Sequence, residues 1–564
     1  MTLTLADIER WDPAAIRAVF DAAIKRSHGA RTASAALGET MRMLDFGGDA
    51  AEAAHAETQR TTLILDTHVD ACEAVGRAAE KSAEEVAAIK LRLQTIRETA
   101  QDFHLTINNA TGAVSPPTNL VSFSPGDQRV ILDEAVRLTE SINRLLADAE
   151  WADEDLAAAI RGADGDLSPE QVDAQLSHEL PKMPQVPPPG SDPEAVEKWW
   201  HALTPGQQDR VKEWFPNAVR NLDGIPTDIR SELNMPVLQR EIIRLQHGWL
   251  DRNGVWHTDP EKLADLHALR DALAANPGTS LILLDTTGNP RKALAAVGIG
   301  DVDNAERVGV TVGGLNTRAS SSVGDMVREA EAQRNKASDL RKYAGTPNYD
   351  AVASIVWLGY DAPDSLKDVT HDWLARDAAG PLNRFYRGLA AAANVSDKHI
   401  TAFGHSYGSL VTSLALQQGA PVSDVVLYGS PGTELTNVSQ LGVQPGRAYY
   451  MIGVNDHVSD IIPDFGAFGA APQQLPGMTE LSTSTGRAPG GEYGDGQVHE
   501  RAYGHSEYAR MGSNGQLRMS GYNLAAVLAG LPDDLITPRA VGVDTLPGGS
   551  GPYEIPPPIP VHHE

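Results

Sequence analysis

Gly404-His405-Ser406-Tyr407-Gly408 decides the reading of this 564-residue chain. Residues 399–403 before it read as a short strand, and the apolar run from Ser409 to Leu416 reads as the start of a helix. A serine on a sharp strand-to-helix turn takes strained backbone angles. Glycines flank it because any side chain there would meet the neighbouring strand and helix. The five-residue pattern alone recurs by chance as an ordinary turn. Between a strand and a helix it reads as a nucleophile elbow.

On either side of the elbow, short apolar runs at 281–284, 308–312, 352–358, 400–403, 424–428 and 448–454 alternate with helical stretches such as 322–342 and 381–393. Residues 518–530 read as a closing helix. Such alternation implies an α/β architecture, a mostly parallel sheet covered on both faces.

The N-terminal third differs. Asp12-Pro13 is a capped helix start, and residues 13–165 carry helical periodicity. Val86, Ile89, Leu93 and Ile96 recur at three- to four-residue spacing, as do Leu138, Ile142, Leu145, Leu146 and Ala149. Phe46-Gly47-Gly48-Asp49 reads as a tight reversal, and 108–127 as a loop. The stretch 181–193 is proline-rich and reads as a linker. Trp199, Trp200, Trp214 and Trp256 then anchor a small helical region. The expected organisation is a helical domain at 1–180, a linker at 181–194, a helical connecting region at 195–278, an α/β domain at 279–535 and a Gly/Pro-rich tail at 536–564, expected to be disordered from Pro547 on.

Lys+Arg 47 against Asp+Glu 75 gives a net charge of −28, which repels nucleic acid and anionic membrane. A single cysteine, Cys72, excludes an intrachain disulfide. The first residues lack a basic region followed by an apolar run, so no ordinary signal peptide is expected; the chain is cytoplasmic or exported without one. No transmembrane helix is expected, because no stretch reaches the required apolar length.

A serine hydroxyl needs a base to take its proton and a carboxylate to orient that base. When an elbow serine is the nucleophile, the chain order is serine, acid, histidine. Asp456 stands at the end of the run 449–455, where the acid belongs, and His505 precedes the last helix, where the base belongs. Asp460 and Asp464 compete with Asp456, while Asp424 begins a strand and faces the wrong edge. His457 and His499 compete with His505, and His405 reads as a packing neighbour. For each the bland alternative is a solvated loop residue. An oxyanion hole needs two preorganised N–H donors. The Tyr407 amide is one. The Leu315 amide, with Gly314 second, is the other, in the loop Gly313-Gly314-Leu315-Asn316, which could also be a simple turn. No Cys/His cluster has zinc spacing, and no phosphate-binding glycine loop is present, so no cofactor or metal is expected.

Five motifs in order complete the pattern. They are Val312-Gly313-Gly314-Leu315-Asn316-Thr317, Trp357-Leu358-Gly359-Tyr360-Asp361-Ala362-Pro363, Gly404-His405-Ser406-Tyr407-Gly408-Ser409, Tyr428-Gly429-Ser430-Pro431-Gly432 and His505-Ser506-Glu507-Tyr508. With these the chain resembles an actinobacterial α/β-hydrolase family of unknown function, over residues 195–535. It departs from that family at Gly313, where a proline is usual, and at His457, where Asp-Pro is usual. The resemblance implies a serine hydrolase on an α/β-hydrolase fold and names no substrate. The residues themselves read as that fold preceded by an α-helical domain, with a Ser406–His505–Asp456 triad acting on small-molecule or lipid esters. The N-terminal region is similar to the Trp-x-Gly helical hairpins of type VII secretion, with Phe46-Gly47-Gly48 in place of Trp-x-Gly. That likeness implies a helical secretion partner; the bland reading is an accessory bundle. The rival functions are an acyltransferase on the same triad and a secretion-linked interaction protein. The Gly/Pro-rich excursion 457–500 is expected to cover the site.

Overall fold

In the computed structural model, residues 3–43, 47–163, 166–175, 184–250, 255–365, 367–458, 468–538 and 559–560 are described. They fall into two compact units, one of residues 1–185 with 213–215, the other of 186–212 with 216–564.

The first unit is built on three long helices, α1 (Pro13–Met43), α2 (Asp49–Asp102) and α3 (Pro125–Ala163). Ser27 donates to Glu73 at 3.0 Å and Ser34 to Asp66 at 2.8 Å, so α1 and α2 run antiparallel. Of the expected reversal, Phe46 lies outside the described residues. Lys81 bonds Asp155 at 2.7 Å and Arg92 pairs with Asp148, which sets α3 antiparallel to α2. The apolar stripe of α2 is buried within this unit: Val86 packs with Ile16, Ala79 and Ala83 and against Leu156. The segment read as a loop at 108–127 is shorter than expected. Thr106–Ile107 and Val114–Ser115 form a small hairpin, and α3 starts at Pro125, where Ser124 accepts from the Asp127 N–H at 3.1 Å.

The second unit opens with α4 (Pro193–Ala202), capped by Asp192, which accepts from Ala195 N–H at 3.2 Å. Helices α5 (Thr227–His247) and α6 (Pro260–Ala275) follow. The sheet has eight strands: β1 (Thr279–Asp285), β2 (Leu294–Ile299), β3 (Arg307–Val312), β4 (Val352–Leu358), β5 (His399–His405), β6 (Asp424–Tyr428), β7 (Ala448–Met451) and β8 (Thr479–Glu480). Their order is β8-β7-β6-β5-β3-β4-β2-β1. All neighbours are parallel except β2, which runs antiparallel to both β1 and β4.

Strand β2 went unread in the sequence, and β7 is shorter than the run 448–454. Leu294-Ala295-Ala296-Val297-Gly298-Ile299 is poor in the branched and aromatic residues that mark strands. Its small residues suit close cover by helices on both faces. Helices α7 (Ala319–Tyr343) and α10 (Met519–Ala529) pack on one side of the sheet with α5 and α6. Helices α8 (Trp373–Ala391) and α9 (Tyr407–Leu416) pack on the other. Of the tail, Ile559–Pro560 pairs antiparallel with Ile536–Thr537. Among the described residues no helix is long and apolar enough to cross a membrane.

Candidate active site

Strand β5 delivers Ser406 and helix α9 leaves from it. Ser406 has φ 55° and ψ −131°, a left-handed backbone that a non-glycine residue rarely adopts. The turn is tight enough to need its glycine: a Cβ on Gly408 would stand 2.3 Å from the Val312 carbonyl oxygen. The parallel pairing of β5 with β3 sets the serine at the carboxyl end of the sheet, where ligands bind in open α/β folds.

Strand β7 leads to Asp456. Asp456 is fully buried, and its Oδ1 accepts from His505 Nδ1 at 2.9 Å and from the Val458 N–H at 3.1 Å. Its Oδ2 accepts from the Tyr508 hydroxyl at 2.6 Å, which in turn accepts from the Gly453 N–H at 2.6 Å. Burial pushes the carboxyl up, but the bonds from His505, Tyr508 and Val458 outweigh it and hold Asp456 below the usual carboxylate range. With Nδ1 of His505 committed to Asp456, Nε2 is the free face of the ring. Ser406 and His505 line one cavity of about 500 Å³, without a direct hydrogen bond between them.

The rivals stand elsewhere. His457 is exposed, and His499 is buried, bonded to Asp495 at 3.2 Å and to the Leu517 carbonyl at 2.7 Å. Asp424 pairs with Arg447 at 3.3 Å at the far end of the sheet. Asp460 and Asp464 lie outside the described residues. His405 lies beneath the site, its ring stacked on Tyr428 at 5.0 Å and its Nε2 donating to the His505 carbonyl at 2.8 Å. Burial, helped by the neighbouring His505, pushes its imidazole down to about 4.

The loop after β3 closes against the serine. A Cβ on Gly314 would fall 2.7 Å from both Ser406 Cβ and Tyr407 N, so only glycine lets this backbone come so near. Neither the Leu315 nor the Tyr407 N–H donates a hydrogen bond among the described residues. The motif 357–363 buttresses this loop. Tyr360, stacked on Trp357 at 5.8 Å, donates to the Gly313 carbonyl at 2.6 Å, and the Pro363 carbonyl accepts from Asn316 N–H at 2.8 Å. Buried Lys292 pins the same segment through Asp361 at 3.0 Å and Asp364 at 2.7 Å. From the fourth motif, Gly429 places its backbone beside the Asp456–His505 pair, where a Cβ would meet Asp456 Oδ2 and His505 Cε1 at 3.1 Å.

Sequence reasoning missed the support that Tyr508 and Tyr360 give, although both stand inside the motifs it quoted. It also missed the cavity wall. Beside 311–317, 405–406 and Tyr428, that wall comes from α7 and from 505–510. Of the excursion expected to cover the site, none of 468–500 lines the cavity, and 459–467 lie outside the described residues. Within the excursion, Asp495 is bonded by Lys336 of α7 at 2.8 Å.

A mostly parallel sheet with a strained serine at this turn, and an Asp–His pair beside it, defines an alpha/beta hydrolase. Residues 289–467 match a family model described as Alpha/beta hydrolase, a span that holds Gly314, Ser406 and Asp456 and ends before His505. Residues 41–196 match a second, described as Uncharacterised protein Rv0964c. The chain is 79% identical over 266 residues to Uncharacterized protein Rv0963c of Mycobacterium tuberculosis (strain ATCC 25618 / H37Rv), covering 47% of this chain and 100% of that protein. Uncharacterized protein Mb0988c of Mycobacterium bovis matches at the same identity and coverage, 79% over 266 residues. Uncharacterized protein Rv2079 of M. tuberculosis is 29% identical over 430 residues, 68% of this chain and 64% of that protein. The chain belongs to the family of these uncharacterised mycobacterial proteins, with an alpha/beta hydrolase domain in its C-terminal part. The resemblance to type VII secretion hairpins finds no support in these comparisons.

Proposed function

We propose that this chain is a serine hydrolase that cleaves carboxylic esters through a covalent acyl-enzyme. Ser406 Oγ attacks the ester carbonyl while His505 Nε2 takes its proton. The oxyanion that forms lies between the Tyr407 and Leu315 N–H groups, with Gly314 allowing the approach. Collapse breaks the ester C–O bond, and His505 returns the proton to the leaving alkoxide. Water then repeats the sequence and frees the acid and Ser406. Asp456 holds the imidazole in the right tautomer and stabilises its charged form.

The observation that carries this reading is the 2.9 Å Asp456–His505 bond in the same cavity as Ser406 and its strained backbone. A fluorophosphonate probe, with the labelled peptide mapped, tests it alongside p-nitrophenyl esters of graded chain length. Labelling at Ser406 with ester turnover supports it. Labelling at another serine, or none, overturns it.

A further inference from the structure

The wall of the cavity facing Ser406 is polar in a way that packing does not require. Asp325, Glu329 and Gln333 stand four residues apart on α7, so they share one helix face, and all three line the cavity.

Gln333 is 2% exposed and Tyr428 is 3% exposed, yet neither side chain makes a hydrogen bond among the described residues, and both line the cavity. The rest of each side chain is packed away while its polar atoms stay open to the cavity, so the partner they can take comes from the cavity side. Tyr428 is also well placed relative to the chemistry. It is the register partner of His405, the residue before the serine. Glu329 completes the group, 3.5 Å from Arg510, which also lines the cavity.

We propose that this cavity binds a hydroxylated portion of the substrate, a polyol or sugar whose ester Ser406 cleaves, with Gln333, Tyr428 and Glu329 as the specificity-determining residues. The inference rests on the serine-esterase reading above. A hydroxyl both donates and accepts, and so satisfies an amide, a phenol and a carboxyl together. An alkyl chain would bury all three without partners. A quaternary ammonium group could not donate to them, and Glu329 already has Arg510 beside it. Burial also pushes the Glu329 carboxyl up to about 7, so near neutrality it is often protonated and suits a neutral hydroxyl.

The test compares kcat/KM for glucose 6-butyrate, cyclohexylmethyl butyrate and butyrylcholine, which share one acyl group. The glucose ester should exceed the cyclohexylmethyl ester by roughly 100-fold or more, because a site built to hydrogen-bond hydroxyls rejects the analogue lacking them. Gln333→Leu should shrink that ratio by roughly tenfold or more. A wild-type ratio near one or below it, or butyrylcholine as the best substrate, overturns the inference without reference to any variant. An unchanged ratio in a folded Gln333→Leu protein overturns it too. If Ser406 is labelled and p-nitrophenyl butyrate is cleaved in these cases, the esterase reading stands and only this inference falls. If neither occurs, both fall.

Discussion

His405 and His505 lie with ring centroids 4.9 Å apart, and the first donates from Nε2 to the backbone carbonyl of the second at 2.8 Å. The residue before the serine thus holds the segment that carries the histidine. Because His405 is pushed from an ordinary 6.5 down to about 4, the folded protein keeps it neutral while the unfolded chain protonates it first. Its contribution is present above about pH 6.5 and lost as pH falls towards 4. His405→Phe keeps the ring stack but cannot titrate. Urea unfolding at pH 7 and pH 4.5 should show the wild type losing about 2 kcal/mol more than the variant. Equal losses would sink this account.

Tyr508 bridges the Gly453 N–H and Asp456 Oδ2 at 2.6 Å each, inside the core. Tyr508→Phe removes both bonds but leaves the ring. Stability should fall by about 1–3 kcal/mol, the cost of breaking buried hydrogen bonds. Turnover should fall roughly tenfold with KM little changed, since Asp456 then orients His505 less firmly. A loss of stability with full turnover would leave Tyr508 a packing residue only.

The elbow was legible because a serine between two glycines, after a strand and before a helix, has few other uses. Asp456 and His505 followed from chain order, and the structure brings those two together. Strand β2 was not legible, because alanine and glycine carry no strand signal and its place is set by pairing with β1 and β4. The role of α7 was not legible either. Asp325, Glu329 and Gln333 look like a solvated helix face until the fold turns that face to the serine. The excursion 457–500 drew attention by length and composition, but length does not say which side of the sheet it packs on.

Ser406→Ala should abolish fluorophosphonate labelling and cut kcat for p-nitrophenyl butyrate by at least about 10⁴-fold. The fold should survive, since the elbow strain lies in the backbone and the side chain makes no hydrogen bond among the described residues. Asp456→Asn should act almost as strongly, roughly 10³- to 10⁴-fold, by presenting the wrong tautomer of His505. Circular dichroism checks the fold, and persistent labelling of the alanine variant would move the nucleophile elsewhere.

Gly314→Ala tests the oxyanion loop. Its added Cβ would sit 2.9 Å from Ser406 Oγ as well as 2.7 Å from Tyr407 N, so the loop must retreat or the methyl must block the N–H. Retreat is opposed by the Tyr360 bond to Gly313 and by the Asn316–Pro363 bond, which pin the loop on either side of Gly314. Either way the donors no longer converge where an oxyanion would form. Removing one such donor typically costs roughly 10²- to 10³-fold in kcat, so a loss of that size is expected. The Asp456–His505 pair is untouched by this change, so the pH dependence of the residual activity should keep its wild-type shape. Steady-state kinetics across pH distinguish the outcomes. A variant with unimpaired kcat would place the oxyanion donors away from the 313–316 loop.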